Sequence, residues 1–216
     1  MNLLETLQTI FVYAIPILFG VTVHEVAYGW IASKLGDSTA KMMGRLTLNP
    51  LKHIDLIGTI IVPIILVIAG GFIFGWAKPV PVNWQNLRHP RRDGALVAIA
   101  GPLSNLLMAL LWAILIKLGM IFSNQVPPLQ ALILMGKIGM FINLILLTLN
   151  LLPIPPLDGS RVVSSLLPNK AAAWYNTLEP FGFFILLGLL ILGVLSSILL
   201  PIVAILQTMI SGIFGL

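Results

Sequence analysis

Between residues 129 and 152 the chain carries a single charged side chain, Lys137, and between 95 and 120 it again carries one, Lys117. Residues 181–216 carry none, and of Asp, Glu, His, Lys and Arg, residues 7–32 hold only His24 and Glu25. About 20 apolar residues cross a bilayer as a helix. Four runs of this kind constrain the fold more than any other feature, because an apolar helix face needs hydrocarbon or another helix against it. A fifth run, residues 57–74, is shorter and contains Pro63 and the pair Gly70-Gly71. Only 9% of the chain is charged, against about 25% in soluble domains. Too little charge is available to cover a soluble surface. The expectation is an all-α polytopic membrane protein with about five long apolar segments, folded as one transmembrane domain over residues 1–216. The last segment is expected to be interrupted at Pro201.

The formal charge of +5 does not point to nucleic acid. The basic residues lie in short loops between apolar runs, where the positive-inside rule places them. Lys34, Lys41, Arg45 and Lys52 occupy one loop, and Lys78, Arg88, Arg91 and Arg92 another. Both read as cytoplasmic, yet one crossing by residues 57–74 would separate them. A return path resolves the conflict. Residues 75–83, GWAKPVPVN, alternate Val and Pro and are expected to be extended. They form one membrane-associated extended or β loop that dips into the protein, since lipid-exposed extended backbone is not tolerated. The uncharged loop at 123–128 then faces outward, and Arg161 and Lys170 face inward. The first ten residues contain an acid and no Lys or Arg, and read as the lead-in to a membrane helix. With no cysteine, a disulfide framework, a thiolate metal site and a cysteine nucleophile are all excluded.

Ionisable groups inside apolar spans are costly and mark functional positions. His24 and Glu25 are such groups. Positions 24 and 28 lie one turn apart on a helix, the spacing at which His-Glu-x-x-His holds zinc with two imidazoles and uses the Glu as base. This chain has His24-Glu25-Val26-Ala27-Tyr28, so the second imidazole is missing. Downstream, residues 150–160 read NLLPIPPLDGS, where three prolines exclude helix. Asp158 then stands at the N-cap of a short helix, its plain structural role, or serves as a carboxylate metal ligand. Gly101, Ser104 and Asn105 read as helix-packing residues. Asn143 reads as lining a cavity or bonding between helices, Lys137 as snorkelling, and the five tryptophans mostly as interfacial anchors.

Taken in order, His24-Glu25, the stretch GRLTLNPLKHID, GWAKPVPVN, AGPLSN and NLLPIPPLDG resemble the site-2 protease family of intramembrane zinc metalloproteases, in its small bacterial form. The resemblance covers nearly the whole chain. It implies a Zn2+ cofactor with His24 and Asp158 as ligands and Glu25 as the base that takes a proton from the attacking water. It implies that Asn150 binds substrate backbone or braces the Asp158 loop. Residues 75–83, with Val80 and Val82, match the strand region that pairs with an unwound substrate. The partners implied are a membrane-protein or peptide substrate and the lipid bilayer, in a bacterial inner membrane with the active site toward the cytoplasm. The family's PDZ- and CBS-like accessory domains are not expected here.

Tyr28 departs from the family, which has histidine there. Three readings stand open: a lost ligand, a phenolic oxygen that ligates zinc, or a replacement from His53 or His89, which otherwise read as interfacial loop residues. The function expected is hydrolysis of a peptide bond in or near a transmembrane segment, with activity impaired to the extent that Tyr28 fails as a ligand. The rival is a pseudoprotease that binds transmembrane helices without cutting them. An ion pathway through His24, Glu25 and Asp158 is disfavoured by the lack of repeated halves.

Overall fold

The structure, a computed structural model, describes residues 3–62, 65, 77–122 and 129–216. Its long helices are α1 (Leu3–Leu35), α3 (Pro90–Phe122), α4 (Leu129–Asn150) and α8 (Val194–Phe214). Shorter helices are α2 (Thr39–Met42), α5 (Asp158–Leu166), α6 (Asn169–Asn176) and α7 (Gly182–Ile191). Among the described residues five segments are long and apolar enough to cross a membrane: Phe11–Leu35, Pro90–Phe122, Leu129–Asn150, Asn169–Ile191 and Val194–Phe214. No strand is assigned among the described residues. The chain is an all-α, multi-pass membrane protein.

The five segments are not quite those expected. Of residues 57–74, the described part contributes to one π turn, Leu56–Ile61, and the greater part lies outside the described residues, as do Gly75, Trp76 and the loop 123–128. The terminal run breaks at Gly193, not at Pro201. Gly193 adopts φ 71°, a left-handed conformation open to glycine, and separates α7 from α8. Pro201 sits inside α8, as prolines do in membrane helices whose neighbours satisfy the freed backbone groups.

The centre of the bundle is α3 against α4, with α1 packed on both. Small residues permit the close approach: a Cβ at Gly136 or Gly139 of α4 would collide with Ile116 or Trp112 of α3. Trp112 is only 7% exposed. It is a core residue of this interface and not an interfacial anchor. The two basic loops meet at one end of the bundle. Arg88 N–H donates to Leu35 C=O at 3.0 Å, and Lys78 N–H donates to His53 C=O at 2.9 Å. The common end that charge placement demanded is therefore present.

Candidate metal centre

His24 lies eleven residues from the end of α1, about 16 Å along a helix rising 1.5 Å per residue, within the apolar segment Phe11–Leu35. Its ring fits because α3 offers glycine opposite: a Cβ at Gly101 would collide with the imidazole. Asp158 arrives from the other direction, at the first turn of α5. Imidazole Nε2 and carboxylate Oδ2 stand 3.1 Å apart, without a hydrogen bond's alignment. Asp158 Oδ2 is buried and has no hydrogen-bond partner.

That orphaned oxygen decides between the two readings of Asp158. The residue preceding it, Leu157, is the N-cap, and no side chain caps α5. The capping role expected of Asp158 is therefore not realised, and its carboxylate points instead at His24. A buried carboxylate oxygen 3.1 Å from an imidazole nitrogen, outside hydrogen-bond alignment, is a pair of donors suited to a shared cation when the nitrogen carries no proton. Nitrogen and oxygen donors of this kind are what Zn2+ accepts. The residues present fit a metal ion on two sides.

A cavity of about 640 Å³ opens beside this pair and is lined by His24, Glu25, Tyr28, Asn150, Asp158 and Arg161 among others. Val80 and Val82 line it as well, so the candidate residues from three separate stretches of sequence share one space. Glu25 Oε2 accepts from Val80 N–H at 2.6 Å. Asn150 Nδ2 donates to Leu146 C=O at 3.0 Å within its own helix, which leaves its Oδ1 as the acceptor toward the cavity. Neither His53 nor His89 lines the cavity. His53 is only 2% exposed, not the open interfacial residue expected, and its Nε2 lies 2.9 Å from Thr47 C=O. Among the described residues no three His, Cys, Asp or Glu side chains converge as a metal cluster. Tyr28, one turn after His24 on α1, lines the same cavity, its ring edge-on to Trp84 with centroids 6.0 Å apart.

Ala77–Asn83 is non-helical, and three charged side chains hold it. The Arg45 guanidinium donates to the carbonyls of Lys52, Lys78 and Pro79. Glu25 takes Val80 N–H. Asp37 takes Asn83 N–H at 2.8 Å through Oδ2 and the Asn86 amide at 3.0 Å through Oδ1. Pro79 and Pro81 have no N–H to offer.

Two features of the site were not anticipated. Asn105, expected to serve packing, lies 2.7 Å from His24 Nδ1 through its Oδ1 and is itself bonded to Asn143. The spacing of Gly101 and Asn105, one turn apart on one face, was the available signal. Arg161, one turn after Asp158, stacks 4.3 Å over the Trp84 ring and pairs with Glu179 at 2.9 Å.

No family model matches the sequence and no solved structure matches the chain. Curated relatives do match. "Putative zinc metalloprotease YwhC" of Bacillus subtilis is 40% identical over 189 residues, covering 87% of this chain and 83% of that protein. The similarly named Rip2 of Mycolicibacterium smegmatis is 31% identical over 181 residues, 83% of this chain and 66% of its own length. MJ0611 of Methanocaldococcus jannaschii, of the same description, is 40% identical over a shorter stretch, 34% of this chain.

Proposed function

The chain belongs to the site-2 protease family of zinc metalloproteases, and from that membership we propose that it hydrolyses a peptide bond in or near a transmembrane segment of another membrane protein. The observation that carries this reading is the orphaned Asp158 oxygen facing His24 Nε2 inside a membrane span, with Glu25 in the same cavity. His24 Nε2, the Asp158 carboxylate and the Tyr28 oxygen would hold Zn2+. When bound, the metal supplies a Lewis acid for the scissile carbonyl and lowers the pKa of water.

The protein's own groups do the rest. Glu25 takes the proton from the attacking water and returns it to the leaving nitrogen. Its Oε1 remains for that task while Val80 N–H fixes Oε2. The cavity edge of Ala77–Asn83 offers the Val80 carbonyl and the Val82 backbone to an unwound substrate strand, a β-augmentation. Unwinding is required because an intact helix shields its peptide bonds. Asn150 Oδ1 accepts a substrate N–H. The gathering of both basic loops at the site's end of the bundle supports a cytoplasm-facing site in a bacterial cell membrane.

A second reading is favoured by Tyr28. Its ring packs against Trp84 and beside the buried cluster of Ala32, Leu87 and Val97, a packing role at the position of the missing imidazole. On this reading the chain binds transmembrane helices without cutting them. Zinc content and cleavage of a model transmembrane substrate, measured side by side for this chain and Tyr28→His, separate the two. Binding and cleavage by both support the protease with a working oxygen ligand. Activity in Tyr28→His alone identifies a scaffold disabled at one position. Activity in neither overturns the proposal.

A further inference from the structure

His24 is tied to three helices by a relay whose polarity is determined by carbonyl groups that can only accept. Asn143 lies 2.8 Å from Gly139 C=O, so the atom facing that carbonyl is its NH2 and its Oδ1 faces the other way. Asn143 Oδ1 receives Asn105 Nδ2 at 3.0 Å, and the same Nδ2 donates to Gly20 C=O at 3.1 Å. Both hydrogens of the Asn105 amide are thereby used. Its Oδ1 is the atom left to face His24 Nδ1 at 2.7 Å. An amide oxygen can only accept, so Nδ1 carries the proton. In a neutral imidazole Nε2 then presents a lone pair, and it presents it toward Asp158 Oδ2.

We infer that Asn105, braced by Asn143, is a positioning residue that locks His24 in the Nδ1–H tautomer and so dedicates Nε2 to a divalent cation shared with Asp158. The opposite tautomer would set a ring lone pair against the Asn105 oxygen at 2.7 Å. Both asparagines have no exposed surface, so water is not at hand to relieve that repulsion. Because α1, α3 and α4 each contribute a member, helix packing itself selects the tautomer. The braces are neutral amides, which cost less inside a membrane than the carboxylates that often orient metal-binding histidines elsewhere. The use made of Nε2 rests on the zinc reading above; that Nδ1 carries a proton does not.

The test therefore begins on metal-free protein. With 15N-histidine labelling in nanodiscs, the His24 signals are assigned by their loss in His24→Gln. The expected spectrum has Nδ1 protonated in the native chain and in Asn105→Asp, which keeps the acceptor, and Nδ1 unprotonated in Asn105→Leu, where Asp158 captures the proton at Nε2. Titration with Co2+ alone should show roughly a 10- to 100-fold weaker affinity in Asn105→Leu, the scale seen when an orienting partner of a metal ligand is removed. An unprotonated Nδ1 in the native chain, or native tautomer and affinity in Asn105→Leu, overturns the inference. Should Asn105→Leu fail to fold, Asn105→Asp decides, since a folded Asn105→Asp with unprotonated Nδ1 is equally fatal. A protonated Nδ1 with no Co2+ binding in either the native chain or Tyr28→His leaves the lock standing and removes the zinc reading instead.

Discussion

The two walls of the cavity are held by different physics. The metal wall consists of side chains on helices, and its braces are neutral: Asn105, Asn143 and the space left by Gly101. The opposite wall, Ala77–Asn83, has no regular hydrogen-bond pattern of its own and is pinned by charges: Arg45 at its start, Glu25 in its middle and Asp37 at its end. The difference follows depth. An unpaired charge deep in a bilayer is expensive, so neutral amides do the bracing there. At the loop end of the bundle, where Arg45 and Asp37 lie, charges are tolerated and charged hydrogen bonds are the stronger kind; Glu25, next to His24, is the exception. The packing of the metal wall should therefore respond to shape and be indifferent to salt, and the non-helical wall should do the reverse.

The largest effect expected from breaking this contrast is at Gly101. Gly101→Ala places a methyl group into the His24 ring and must displace it. Zinc affinity, read by competition with a chelator, should fall by roughly 10- to 100-fold, with a stability loss of about 1–3 kcal/mol from overpacking. Hydrogen exchange in residues 77–87 should not change. If it accelerates in step with the loss of zinc, the two walls are one cooperative unit and the contrast fails.

Arg45→Gln addresses the other wall. It removes the guanidinium shared by the Lys52, Lys78 and Pro79 carbonyls. Substrate binding should weaken about tenfold, equivalent to about 1.4 kcal/mol, seen as a rise in KM or in the Kd of a non-cleaved transmembrane peptide. Zinc content should stay at the native level. A loss of zinc with binding intact would reverse the assignment of roles.

The same contrast explains what was legible in the sequence. Membrane class followed from apolar length alone, because hydrocarbon thickness leaves few alternatives. Residues 77–83 were recognisable as non-helical because proline restricts itself and its predecessor. His24, Glu25 and Asp158 stood out because an ionisable group in an apolar run needs a reason. Asn105 did not, since an uncharged amide near AGPLSN is equally explained by helix packing, and its contact with His24 spans 81 positions. Trp112 was misplaced for a related reason: glycines on a different helix, α4, make room for it. The break at Gly193 was overlooked in favour of Pro201, although proline is tolerated inside a membrane helix and a glycine with positive φ ends one.

The smallest expected effect concerns acid. Burial opposes ionisation of Asp37, but donors outweigh it: the Thr39 hydroxyl, the Asn86 amide and the N–H groups of Asn83 and Thr39 together hold its carboxyl below the usual carboxylate range. A depressed pKa means that the folded protein binds fewer protons than the unfolded chain. Its contribution is thus complete above the ordinary value of about 3.9 and drains away as pH falls through the lower folded value. Hydrogen exchange in residues 77–87, corrected for intrinsic chemistry, should accelerate over that acid range in the native chain. In Asp37→Asn it should be faster at neutral pH, by an amount on the order of 1 kcal/mol, and flat with pH. The His24–Asn105 contact should be the same in Asp37→Asn as in the native chain at neutral pH. A change in that contact would mean that charge at the loop end reaches the metal wall after all.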